Sequence, residues 1–142
     1  MLPYRVFGRS VPRADGVGKV NGTTEYTADV NLPGLVWGKS LRSPYPHAKI
    51  IEIDVDAARS LPGVRAVLTG SDVRGVLYGR RLRDIPVLAW DHVRFAGERV
   101  AAVAADSEEI AETALNLIRV EYEELEPLLD PLEAMRDGAQ LV

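Results

Sequence analysis

The first stretch where this chain could do chemistry is the glycine-rich run Asp15-Gly16-Val17-Gly18-Lys19, because loops of this kind cradle phosphates with backbone N–H groups. It fails as a phosphate loop. The glycine required five residues before Gly18 is Arg13, and Val20 stands where serine or threonine should follow the lysine. A dinucleotide-binding turn also needs a preceding apolar strand, which is missing. The run reads as a flexible arm. His47 and His92 are the only histidines, and neither has another histidine at metal-ligand spacing. Asp91 adjoins His92, but adjacent residues rarely aim both side chains at one ion. Each histidine is expected to be structural or at the surface, with acid–base work as the alternative. Arg80-Arg81-Leu82-Arg83-Asp84 is the densest positive cluster. It reads first as a solvated loop. If it has a role, Arg80, Arg81 and Arg83 clamp an anion or an acidic partner surface.

Other candidates have local explanations. Glu108 and Glu109 lie where a helix begins, and Glu121 and Glu123 fall on one face of a strand. No carboxylate sits in an evidently apolar setting that would raise its pKa, so a glycosidase-type pair is not supported. No serine lies in a Gly-x-Ser-x-Gly elbow. Asn21-Gly22-Thr23 is formally a glycosylation sequon, and without a signal peptide it reads as a turn. No catalytic, cofactor-binding or metal-binding residue is nominated.

The elements that would position these residues begin at Leu35. Before it, glycines and prolines interrupt any sustained period, so residues 1–34 read as an extended arm, too irregular for a helix. Leu35 to Arg42 reads as a strand, and Pro44 and Pro46 turn the chain. Lys49 to Val55 alternates, with Ile51, Ile53 and Val55 on one face, which predicts a half-buried strand. A short helix over 56–61, capped by Asp54 or Asp56, ends at Pro62-Gly63, and Val64 to Thr69 is the next strand. Loops with brief strands fill 75–99. Val100 to Ala105 is apolar on both faces, as a central strand would be. Asp106 as N-cap with Glu109 three residues on opens the clearest helix. Its stripe is Ile110, Ala111, Ala114, Leu115 and Ile118. Val120 to Glu123 restores a period of two. The expected fold is α+β, one mixed sheet covered on one side by one long and one short helix. The expected organisation is the arm 1–34, a domain over 35–130 and a tail over 131–142.

Composition narrows the function classes. The chain has 142 residues, 17 Lys+Arg against 21 Asp+Glu and no cysteine. One domain with a proper core fits this length. Disulfides, thiolate metal sites, iron–sulfur clusters and a cysteine nucleophile are all excluded. A net charge of −4 makes nucleic acid a poor partner. No run approaches the roughly 18 apolar residues of a membrane span, and Met1 to Gly8 lacks a signal core, so a cytoplasmic location is expected.

Several segments, taken in order, resemble one known family. They are Arg13 to Gly16 with Lys19 to Gly22, Arg42-Ser43-Pro44-Tyr45-Pro46-His47-Ala48, Ile53-Asp54 and Leu61 to Thr69. Pro86 to Ala89, Val93 to Ala105 and Val120 to Leu125 follow. Their order and spacing resemble the N-terminal α/β hammerhead domain of the aldehyde oxidase/xanthine dehydrogenase family, over about residues 9–134. The domain begins the molybdopterin-binding large subunit, which also occurs in carbon monoxide dehydrogenase-like enzymes. The resemblance implies an oxidoreductase acting on aldehydes, purines, N-heterocycles or CO. It implies a molybdenum–pterin cofactor in the complete subunit, with iron–sulfur clusters and FAD on partner domains or subunits. The residues for these lie in later domains, so none is carried over to this sequence. The chain is then expected to scaffold the catalytic domains and subunit contacts, to be inactive alone, and to self-associate when isolated. The alternative is a stand-alone binding or assembly module that kept the fold without the enzyme.

Overall fold

A computed structural model describes residues 7, 8 and 10–140 of the chain. The expected arm and tail therefore extend, at residues 1–6, 9, 141 and 142, outside the described residues. The chain divides into two compact units, residues 1–35 and 36–142.

In the first unit the glycine-rich run is helical, which corrects the expectation of an irregular arm. Helix α1 spans Gly16–Val20. Its ends are tied by side chains rather than by burial: the Asp15 carboxylate meets the Arg13 guanidinium and lies 2.9 Å from Lys19 Nζ. A 3₁₀ turn follows over Thr27–Asp29, where Asp29 Oδ2 accepts from the Tyr26 amide at 2.9 Å.

The second unit holds the strands β1 (Trp37–Arg42), β2 (Ala48–Asp54), β3 (Val64–Thr69), β4 (Leu77–Tyr78), β5 (Ile85–Pro86), β6 (His92–Val93), β7 (Arg99–Ala105) and β8 (Arg119–Glu124). Its helices are α2 (Asp56–Arg59), α3 (Glu108–Leu117) and α4 (Pro131–Ala134). The α+β class holds. In place of one mixed sheet, the strands form two three-stranded sheets, ordered β1-β7-β3 and β6-β2-β8, and a β4-β5 ribbon. All the paired strands are antiparallel. Pro44 and Pro46 lie between β1 and β2, where proline cannot continue a ladder, and there the chain passes from one sheet to the other.

The apolar run Val100 to Ala105 is central, as its two-sided pattern predicts: β7 pairs with β1 on one side and β3 on the other. Ala101, Val103 and Ala105 pack beneath α2 and α3, where Ala58, Ala111 and Ala114 are fully buried. Small residues on both surfaces let helix and sheet approach closely. A second core joins Ala48, Ala89, Val93 and Val100, with Tyr45 and Tyr122 packed against it. Ile53 and Val120 touch both cores and couple the sheets.

Three local expectations change. The first strand begins at Trp37 rather than Leu35. A bulge between Ile50 and Glu52 leaves Ile51 without a partner and 49% exposed. The inward set on β2 is thus Ala48, Ile50 and Ile53, because one extra residue shifts the alternation. Helix α3 is capped by Ser107, whose hydroxyl accepts from the Ile110 amide at 3.2 Å, and not by Asp106. Asp106 is engaged elsewhere, accepting from Arg65 Nε at 2.6 Å and Nη2 at 2.9 Å.

Candidate functional site

The loop after β1 is built around the buried Ser43. Its amide donates to Glu98 O at 2.9 Å, and its carbonyl accepts from the Gly97 amide at 2.8 Å. Its hydroxyl accepts from the Tyr45 amide at 3.0 Å, which folds Ser-Pro-Tyr-Pro into a tight turn. Tyr45 then tilts against Tyr122 of β8, with ring centroids 5.2 Å apart. The turn delivers His47 to the end of β8. His47 O accepts from the Leu125 amide at 3.0 Å, and His47 Nδ1 lies 2.9 Å from Glu126 O. A carbonyl only accepts, so Nδ1 is the donor in this contact.

Strand β6 places His92 opposite Lys49 of β2, which brings the two histidine rings to 6.3 Å between centroids. Asp91 Oδ1 accepts from the His92 amide at 2.8 Å and lies 3.1 Å from His92 Nδ1. Burial pushes the Asp91 carboxyl up, but the His92 amide, the His92 ring and Arg94 together hold it below the usual aspartate range.

Arg94 is fixed by a carboxylate that local sequence does not reveal. Glu98 is 4% exposed. Its Oε2 accepts from the Arg94 amide at 2.6 Å and its Oε1 from Arg94 Nη1 at 3.2 Å. Arg94 Nη1 also donates to His92 O at 3.1 Å. A buried carboxylate without such partners would neutralise or destabilise the fold. Glu98 is therefore a brace that closes the turn at Phe95 to Gly97.

These elements enclose a cleft of about 320 Å³. His47, His92 and Arg94 form its polar wall, and Phe95, Leu128 and Leu129 its apolar one. The sequence offers one signal for the apolar wall: Leu128 and Leu129 follow Pro127 directly, with Leu132 and Met135 just beyond. Beyond the cleft, Leu129 is 78%, Leu132 71% and Met135 82% exposed, and α4 buries no residue.

Arg80, Arg81 and Arg83 lie apart from this cleft, on the exposed loop joining β4 to β5. None of the three forms an ion pair within the described residues. The loop closes tightly: a Cβ on Gly79 would lie 1.7 Å from Leu82 O, so only glycine fits there. Among the described residues no three His, Cys, Asp or Glu side chains converge as a metal site. None of the described helices is long and apolar enough to cross a membrane.

Residues 21–126 match the family described as "Aldehyde oxidase and xanthine dehydrogenase, a/b hammerhead domain", and the chain belongs to this family. It is 50% identical over 129 residues to a probable xanthine dehydrogenase subunit of Bacillus subtilis, covering 90% of this chain and 17% of that protein. It is 34% identical over 140 residues to the "Nicotinate dehydrogenase large molybdopterin subunit" of Eubacterium barkeri, covering 98% of this chain and 33% of the relative. The crystal structure of quinoline 2-oxidoreductase from Pseudomonas putida 86 superposes with a TM-score of 0.84 at 40% identity, over 94% of this chain and 18% of that one. The chain thus spans from a sixth to a third of the length of these relatives.

Proposed function

We propose that this chain is the N-terminal structural part of a molybdenum hydroxylase or dehydrogenase large subunit, and that its work is to scaffold the catalytic domains and subunit contacts. The whole subunit would oxidise aldehydes, purines, N-heterocycles or CO. The observation that carries this reading is the exposure of successive apolar side chains, Leu129 at the cleft and Leu132 and Met135 on and just after α4, none of which is buried within the described residues. Apolar side chains grouped on a surface mark a contact with another protein surface. The occupant proposed for this surface is the remainder of the large subunit.

The donor set of this chain does not fit an iron–sulfur cluster, which takes thiolates, because it has no cysteine. The complete subunit would carry the molybdenum–pterin cofactor. In the proposed assembly that cofactor sits in the other domains of the large subunit, with iron–sulfur clusters and FAD on partner domains or subunits. The arginine loop takes an acidic patch of a neighbour: Arg80, Arg81 and Arg83 are exposed and form no ion pair among the described residues, and guanidinium forks match carboxylates. The arm over 1–34, the domain over 35–130 and the tail over 131–142 are proposed as the working divisions, the tail being a linker to the catalytic part.

The test is reconstitution. The chain is co-expressed with the Bacillus subtilis relative from which the matching part has been removed. Association on gel filtration is expected, and Leu129→Asp with Leu132→Asp should abolish it while the far-UV spectrum is unchanged. No association with the folded wild-type chain would overturn the reading. Stoichiometric molybdenum in the isolated chain would overturn it as well.

A further inference from the structure

We propose that Asn21 is a self-modifying site, at which the Gly22 backbone nitrogen displaces the Asn21 amide as ammonia. The chain has three acidic or amide residues followed by glycine: Asp15-Gly16, Asn21-Gly22 and Asp137-Gly138. Glycine leaves the following backbone nitrogen unshielded, since it has no Cβ. Sequence alone ranks the three only by leaving group, and the structure separates them further.

At Asp15-Gly16 the nucleophile is occupied, because the Gly16 amide donates to Arg13 O at 3.1 Å. The electrophile is also protected. Hydrogen bonds from Arg13 and Lys19 hold the Asp15 carboxyl below its usual range, so it stays ionised and resists attack. Asp137 is an exposed carboxylate with no amide to lose.

Asn21-Gly22 has neither protection. Both residues are exposed, and a Cβ on Gly22 would meet nothing within 4 Å. The Gly22 N–H and the Asn21 side-chain NH₂ have no hydrogen-bond partner among the described residues. The carbonyl oxygen of the same side chain is polarised. Asn21 Oδ1 accepts from the Thr23 amide at 3.1 Å and from the Thr23 hydroxyl at 2.8 Å. Those donors stand where negative charge develops when a nucleophile adds to Cγ. Asn21 is the C-cap of α1 with ψ 0°, so ring closure requires that backbone torsion to rotate. Helix α1 has five residues and buries none of them, which puts this opening at the low-cost end of local unfolding.

The step balances without an oxidant. A bond forms between Gly22 N and Asn21 Cγ, the bond from Cγ to Nδ2 breaks, and ammonia leaves with the proton from Gly22. Water then opens the five-membered ring. Hydrolysis at Cγ gives the Asn21→Asp chain. Hydrolysis at the Asn21 main-chain carbonyl gives its β-linked isomer. One water is consumed, one ammonia is released, and the net charge falls from −4 by one unit to −5. The β-linkage inserts an extra atom into the backbone and pulls the Thr23 and Thr24 amides off Gly18 O, which they now meet at 2.9 and 3.1 Å.

The full chain is incubated for days at physiological temperature and mildly alkaline pH, then digested with trypsin and sequenced by mass spectrometry. Cleavage after Lys19 and Lys39 puts Asn21 and Asn31 in one peptide, and Asn31, which precedes Leu32, is the internal control. Acid and β-linked forms are expected at position 21, with Asn31 unchanged. Gly22→Ala should slow conversion roughly tenfold by shielding the nitrogen, and Asn21→Gln should stop it. Conversion at Asn31 or Asp15 as fast as at Asn21 would overturn the proposal, as would an intact Asn21 amide after the full incubation.

Discussion

Replacing Glu98 by glutamine tests whether the buried carboxylate holds the cleft wall in place. Glu98→Gln keeps the shape and removes the charge. The carboxylate accepts from the Arg94 amide at 2.6 Å and from Arg94 Nη1 at 3.2 Å, and its residue is 4% exposed. Glutamine retains one acceptor and turns an NH₂ toward one of two donors, so one charge-assisted hydrogen bond is lost and a donor faces a donor. A hydrogen bond to a charged group contributes about 1.5–3 kcal/mol, and breaking a buried ion pair costs about 3–5 kcal/mol. Arg94 lies at the low end of that range, because its side chain is 18% exposed and it keeps His92 O at 3.1 Å and Asp91 at 3.4 Å. The expected loss is about 2–3 kcal/mol. For a chain of this size that is a fall in Tm of roughly 6–12 °C. The assay is urea and thermal unfolding of the full chain followed by circular dichroism. Arg94→Met with Glu98→Leu should recover part of the loss, since an apolar pair needs no charge balance. A Glu98→Gln protein within about 0.5 kcal/mol of wild type would refute the brace, because that is the scatter of an ordinary surface substitution.

Other substitutions separate the observed contacts from those local sequence suggests. Ser107→Ala should cost about 1 kcal/mol as the loss of an N-cap, whereas Asp106→Asn, at an exposed pair with Arg65, should cost no more than about 1 kcal/mol and less in high salt; chemical denaturation at two salt concentrations checks both. Ile51→Thr at the bulge should lie within about 0.5 kcal/mol of wild type, and Ile53→Ala, between the two cores, should cost about 2–4 kcal/mol. The Asp91 carboxyl is held below its usual range in the folded state, so in the window below the ordinary aspartate range the unfolded chain binds more protons. Its contribution is present above that range and lost as pH falls through the folded value; Asp91→Asn should flatten that part of the acid limb of a stability–pH profile.

How much of this is legible in the sequence depends on whether the cause is local. The two-sided apolar run of β7 and the stripe of α3 are short-range patterns set by burial, and both match the structure. The cap of α3 falls one residue from its expected place because Asp106 and Ser107 are both good caps. Only the tertiary pairing of Arg65 with Asp106, 41 positions apart, decides between them. The face of β2 differs from its reading because a bulge has no fixed sequence signature, and one unpaired residue inverts the alternation beyond it.

The cleft shows the same division at larger separation. His47 and His92 look unrelated in sequence, and they meet because β2 pairs with β6 on one edge and with β8 on the other. That pairing also brings Glu126 to His47 across 79 positions. Neither histidine has a second ligand-spaced partner in sequence, and in the structure each ring rests its Nδ1 near an oxygen of the same wall. The wall is thus held by backbone carbonyls and a carboxylate that sequence spacing cannot rank, while the exposed apolar residues Leu128, Leu129, Leu132 and Met135 stand close together in the sequence, where composition can flag them. Exposed apolar residues of this kind are what a domain needs if its partner is the rest of a larger subunit. Within the cleft, hydrogen bonds hold Arg94, the His92 backbone and the His47 ring in place.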